Sequence, residues 1–216
     1  VAKITEKDHI LEIGPGTGNL TEIILEKNPN KIHVIEKDNK LTEILKKKYE
    51  NRIIVINEDI LKFSEHLICN EKLIVFGNLP YNISTQILAK WIIKNHKIDW
   101  FKSLILMFQK EVADRIISQV NSKNYGRLSI LSEWRLKIEK IIDINPSCFL
   151  PKPKIQSTLL KFTPKNNYFI FDNPKNLEKV TRIFFSQRRK KIKHSMKQLF
   201  KNHYDISNKL KIDLNL

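Results

Sequence analysis

Ile10-Leu11-Glu12-Ile13-Gly14-Pro15-Gly16-Thr17-Gly18 is the stretch that decides the fold. An apolar run ends in alternating glycines, and Leu20 to Leu25 follows with helical periodicity. A strand therefore turns directly into a helix. Glycines let the backbone come close to a ligand, and a helix start presents N–H groups that lack intrahelical partners. The spacing is G-x-G-x-G with Asn19 next, which is not the G-x-G-x-x-G of dinucleotide enzymes.

Working outward, strand-like and helix-like segments alternate. Ile32-His33-Val34-Ile35 reads as the second strand and Lys40 to Tyr49 as a charged helix. Ile53 to Ile56 and Leu73 to Phe76 read as strands three and four, Ser84 to Lys94 as a helix, and Leu104 to Phe108 as strand five. Such alternation predicts a parallel sheet covered on both faces. After Lys110 a helix over Glu111 to Ile117 leads to Tyr125-Gly126-Arg127-Leu128-Ser129, which reads as loop. Trp134 to Ile142 and Ser157 to Phe162 are strand-like and joined without a helix, so they predict an antiparallel hairpin at the sheet edge. Thr163 to Pro174 is a linker rich in Asn and Pro, and Leu177 to Phe200 reads as helix. The expected organisation is a catalytic α/β domain over 1–163 and a small helical RNA-binding domain over 164–216.

Composition narrows the partners. Lys and Arg number 39 against 23 Asp and Glu, a formal charge of +16 that favours a polyanion. Cys69 and Cys148 have no neighbour at metal-ligand spacing, so two reduced, buried thiols and no metal are expected. No apolar run approaches the roughly 18 residues of a membrane span, and a cytoplasmic monomer is expected.

Carboxylates stand at successive strand ends. Glu36 closes strand two, where it can accept from both hydroxyls of a ribose. Asp59 ends strand three, where it can accept from an adenine amino group. S-adenosylmethionine (SAM) fits this set, since it carries ribose and adenine but no pyrophosphate to be cradled by a third glycine.

Asn78-Leu79-Pro80-Tyr81-Asn82-Ile83-Ser84-Thr85 follows strand four. An amide, a proline and an aromatic ring at a strand mouth suit a flat base with an exocyclic amine. Asn78 can accept one N–H, a main-chain carbonyl near Leu79 or Pro80 the other, and Tyr81 offers a stacking face. On these residues the chain resembles the ribosomal RNA adenine-N6 methyltransferases, and it looks most like the branch that dimethylates small-subunit rRNA, the kasugamycin-resistance type. The resemblance implies a Rossmann-like SAM-dependent methyltransferase with a mostly parallel seven-stranded sheet and a small C-terminal helical domain. It implies that Glu12, Gly14, Gly16, Glu36, Lys37, Asp59, Ile60 and Asn78 contact the cofactor. It assigns Asn78, Leu79, Pro80 and Tyr81 to catalysis. The segment Pro146 to Lys154 looks like the second substrate-side loop, which implies Phe149 as the other face of an aromatic sandwich.

Phe108 to Arg115, Tyr125 to Ser129 and Phe185-Ser186-Gln187-Arg188-Arg189-Lys190-Lys191 also resemble the small-subunit branch. They imply 16S rRNA, in the small subunit or its precursor, as partner, with Arg127, Arg188, Arg189, Lys190 and Lys191 on phosphates. The family carries a basic, aromatic segment before the first strand that these 216 residues, beginning at Val1, do not include. Its helical end also runs beyond Leu216. Two other readings share parts of the pattern. A large-subunit rRNA methyltransferase conferring antibiotic resistance shares the Asn-x-Pro-Tyr site. A non-catalytic assembly or transcription factor could use the fold without the site. An NAD-dependent dehydrogenase is disfavoured by the glycine spacing and the charge.

Overall fold

The computed structural model describes residues 2–65, 68, 70–93, 99–149 and 152–216. Among them a seven-stranded sheet has the order β3-β2-β1-β4-β5-β7-β6. Its strands are β1 (His9–Ile13), β2 (Lys31–Glu36), β3 (Ile54–Asn57), β4 (Leu73–Asn78), β5 (Phe101–Gln109), β6 (Leu136–Ile144) and β7 (Ser157–Pro164). The first five run parallel, and β7 lies antiparallel between β5 and β6. The expected edge hairpin is therefore present.

Side chains alternate across each strand, so β1 and β4 feed two cores. Leu11, Ile13 and Val75 meet Ile87, Leu88 and Trp91 of α3 (Ser84–Ile93) on one face. Ile10, Val34 and Ile74 meet Ile24 of α1 (Asn19–Leu25) and Leu45 and Tyr49 of α2 (Asn39–Tyr49) on the other. The chain leaves β1 toward β2 and β3, then crosses back to β4 on the opposite side of β1. That reversal opens a crevice at the carboxyl ends of β1 and β4, the place where open α/β sheets bind ligands. No helix among the described residues is long and apolar enough to cross a membrane.

Four expectations are corrected, and three run past the described residues. Arg127 does not lie in a loop: it opens α5 (Arg127–Arg135), which follows α4 (Lys110–Ile116). The Ser129 hydroxyl accepts from Gly126 N at 3.1 Å and donates to Arg115 O at 2.6 Å, which starts α5 and pins it to α4. Trp134 accordingly ends a helix, and the strand begins only at Leu136. The helix read over Leu177 to Phe200 is two helices, α6 (Pro174–Ser186) and α7 (Ile192–Leu199), and α8 (His203–Leu210) follows. The break falls on Arg188 to Lys191, after Gln187 leaves helical backbone with φ −129° and ψ 43°. The start of α7 is held by Leu216, whose O accepts from Ile192 N at 2.7 Å. Cys148 is exposed, not buried, because it sits in a single tight turn at the surface. Cys69, Lys94, and Leu150 and Pro151 of the substrate-side loop lie outside the described residues, as does Val1.

Candidate active site

The glycine turn after β1 adopts left-handed backbone at Gly14, Gly16 and Gly18, with φ of 64°, 59° and 87°. Gly14 N donates to Ile35 O at 2.9 Å, joining the turn to β2. Tyr49 of α2 donates its hydroxyl to Gly18 O at 2.7 Å. A Cβ at Gly18 would lie 2.6 Å from that hydroxyl oxygen, so only glycine lets the tyrosine seat there. Beneath the turn Glu12 is 2% exposed and accepts from Thr21 Oγ1 at 2.6 Å. Burial pushes its carboxyl up to about 7, against the lowering effect of the Thr21 bond.

Glu36 closes β2 with Oε1 accepting from Asp38 N at 2.9 Å. Asp38 in turn caps α2 through Lys40 N and Leu41 N. Asp59 accepts from Leu61 N at 2.9 Å on one oxygen and from Lys37 Nζ at 2.9 Å on the other. The lysine bond, with the Leu61 amide, holds the Asp59 carboxyl below its usual range. Ile60 next to it is buried. Lys90 of α3 grips this loop, donating to Ile60 O at 2.6 Å and to Glu65 Oε1 at 2.6 Å. These residues fit an adenosyl group: Glu36 ends β2, Asp59 stands two residues past the end of β3 rather than at it, and a Cβ at Gly16 would meet no protein atom within 4 Å.

Asn78 to Tyr81 lies beside this crevice. A Cβ at Gly14 would come to 4.0 Å from Asn78 O, so the glycine turn and the Asn-Leu-Pro-Tyr turn abut. Leu79 is 1% exposed and anchors the turn, while the side chains of Asn78 and Pro80 face outward. Pro80 O accepts from Ile83 N and Ser84 N, at 3.1 and 3.0 Å, and so begins α3. A cleft of about 290 Å³ is lined by Asn78 to Tyr81, by Met107 of β5, and by Phe149 and Pro153 from the β6–β7 loop. Residues far apart in the chain, Tyr81 and Phe149 among them, thus share one hollow.

The chain matches the family described as ribosomal RNA adenine dimethylase over residues 1–215. It belongs to that family. It is 59% identical over its full length to the ribosomal RNA small subunit methyltransferase A of Pelagibacter ubique, covering 82% of that protein. It is 42% identical to the protein of that name from Ehrlichia ruminantium, over 96% of this chain and 79% of the other. A dimethyladenosine transferase from Plasmodium falciparum superposes with a TM-score of 0.78 at 32% identity, over 98% of this chain and 78% of that one. The 23S rRNA methyltransferase ErmE, at 18% identity and a TM-score of 0.69, shares the fold. Like these dimethylases, the chain is an α/β methyltransferase.

The basic residues of this family member divide by environment. Arg127 pairs with Glu178 of α6 at 2.5 Å. Arg188 donates to Lys123 O at 3.1 Å and lies 5.8 Å from the Phe185 ring centre, so it links α6 to the loop before α5. Arg127 and Arg188 share a cleft with Tyr125 and Phe185. Arg189, Lys190 and Lys191 are exposed in the α6–α7 turn. Sequence reasoning passes over Tyr49, Lys90 and Ser157, whose partners are distant in the chain. Gly18 is the one visible signal, since the third glycine needs a reason other than phosphate.

Proposed function

We propose that the chain is a SAM-dependent enzyme that dimethylates N6 of two adjacent adenosines in a hairpin near the 3′ end of 16S rRNA, during small-subunit biogenesis. The observation that carries this reading is the cleft joining Asn78, Leu79, Pro80 and Tyr81 to Phe149, set against the glycine turn. The names of the relatives support the substrate.

When bound, SAM supplies a methyl group on a cationic sulfur, which departs as a neutral thioether. In this reading Gly14, Gly16, Glu36, Lys37, Asp59, Ile60 and Asn78 hold it, and Glu12 acts on it through the turn it braces. Adenine N6 is a poor nucleophile because its lone pair is delocalised into the ring. The Asn78 side-chain oxygen accepts one N–H. Pro80 O is committed to α3, so the Leu79 carbonyl is the second acceptor. Two acceptors draw the amine toward tetrahedral geometry and localise the lone pair. Rate then comes from positioning and from fixed dipoles. As the new C–N bond forms, N6 becomes cationic and its N–H acidic, and the proton passes to water at the exposed side of Asn78. Tyr81 and Phe149 offset part of the cost of unstacking the base. Arg189, Lys190 and Lys191 meet phosphates, with Arg127 and Arg188 shaping the surface behind them.

The test is to incubate the protein and SAM with immature small subunits and with unmodified 23S rRNA, then map modified bases by mass spectrometry. Two dimethylated adjacent adenosines in 16S rRNA are expected. Methyl groups on another nucleotide would overturn the substrate assignment.

A further inference from the structure

We infer that Ser157 is a positioning residue of the adenine cleft: it ties Tyr81 to the base of the loop bearing Phe149 and so sets the gap between the two rings. The inference rests on the adenine reading of the cleft. Tyr81 Oη and Ser157 Oγ are 2.7 Å apart. Ser157 has no exposed surface and is the first residue of β7, paired with Gln109 of β5 and Ile144 of β6. Its surroundings are braced. Gln156 O accepts from Lys110 N at 2.9 Å, and Thr158 Oγ1 donates to Asp143 at 2.6 Å. Asp143 is held in turn by Lys140 at 2.8 Å. The Ser157 hydroxyl is thus a fixed point, whereas Tyr81 sits half-buried on the turn between β4 and α3.

Stacking on a base needs only the ring, and a phenylalanine would supply it. The hydroxyl answers to Ser157. Pro153 and Phe149, before Ser157 in the sequence, both line the cleft. One hydrogen bond therefore ties the Tyr81 wall to the start of β7, the strand that follows the loop bearing Phe149. This coupling bears on the second methyl transfer more than on the first. After one transfer N6 has a single N–H left, one of its two acceptors loses its partner, and orientation depends more on the ring faces.

Tyr81→Phe and Ser157→Ala each remove this bond, and each should slow the second transfer in single-turnover assays by roughly three- to tenfold, the scale of one hydrogen bond. The first transfer should change less, so monomethyladenosine accumulates. The double variant should be no slower than either single one, because both delete the same interaction. The readout is the ratio of mono- to dimethyladenosine by mass spectrometry on small subunits. Were Ser157→Ala to fail to fold, Tyr81→Phe alone would decide, since it keeps the ring. A wild-type ratio in Tyr81→Phe, or multiplicative effects in the double variant, would overturn the role of Ser157 while leaving the enzyme assignment intact. A wild-type protein that methylates no adenosine would overturn both.

Discussion

Pro80 shows how closely single atoms are assigned in this site. Its carbonyl is committed to Ile83 N and Ser84 N. In the proposed mechanism Leu79 therefore presents the second acceptor, and Pro80 after it keeps Leu79 out of helical backbone. Gly77 has a matching task. A Cβ on it would come within 2.8 Å of Leu79 Cδ2, so its small size lets Leu79 tuck under the turn. Glu36 carries a prediction of its own. With one oxygen on Asp38 N, it keeps acceptor capacity at the end of β2 for ribose hydroxyls. Glu36→Ala should weaken SAM binding by about 1.5–3 kcal/mol, the range for hydrogen bonds to a charged group. Calorimetry on the folded variant checks this, and unchanged affinity would take Glu36 out of the site. Asn78, Tyr81, Glu36 and Asp59 stand out as candidates in the sequence because each lies at or shortly after the end of an apolar strand-like run. Ser157 and Tyr49 do not, since a hydroxyl acquires its meaning from a partner 76 or 31 residues away.

At the scale of elements, short unbroken apolar runs located the parallel strands, because a strand buried on both faces leaves a strong local trace. The helix α5 and the break between α6 and α7 left a weaker one. In α5 buried Ser129 and Ser132 stand where apolar residues would announce a helix. The α6–α7 turn is held from Leu214 and Leu216, whose carbonyls accept from Lys193 N and Ile192 N. That break alters what the basic block can do. On a helix its charges would spread around the cylinder. In the turn, Arg188 folds back on Phe185 and Lys123 O while Arg189 and Lys190 point to solvent. Replacing Arg189 and Lys190 with Gln should flatten the log–log salt dependence of RNA binding by about one unit for each phosphate that is no longer neutralised. Arg188→Gln should change that slope less and loosen the packing between α6 and the loop before α5. Filter binding over a salt series separates the two.

For the whole molecule, the crevice imposes a cost on folding that depends on pH. Glu12 lies under the ligand turn with its carboxyl raised from the ordinary 4.5 to about 7, mainly by burial. The Thr21 hydroxyl donates to it, and one such bond is too little to replace the water that a charged carboxylate gives up. The folded state therefore holds a proton that the unfolded chain releases at lower pH. Below pH 4.5 both states are protonated and the group costs nothing. Between 4.5 and 7 the unfolded state ionises first, so stability falls as pH rises, and above 7 the full penalty of about 3 kcal/mol applies. Glu12→Gln keeps an oxygen for Thr21 and removes the ionisation. Its melting temperature should match the parent near pH 4.5 and exceed it near pH 8, with the gap opening between those values. Parallel melting curves at all pH values would mean that the Glu12 carboxyl is not raised by folding.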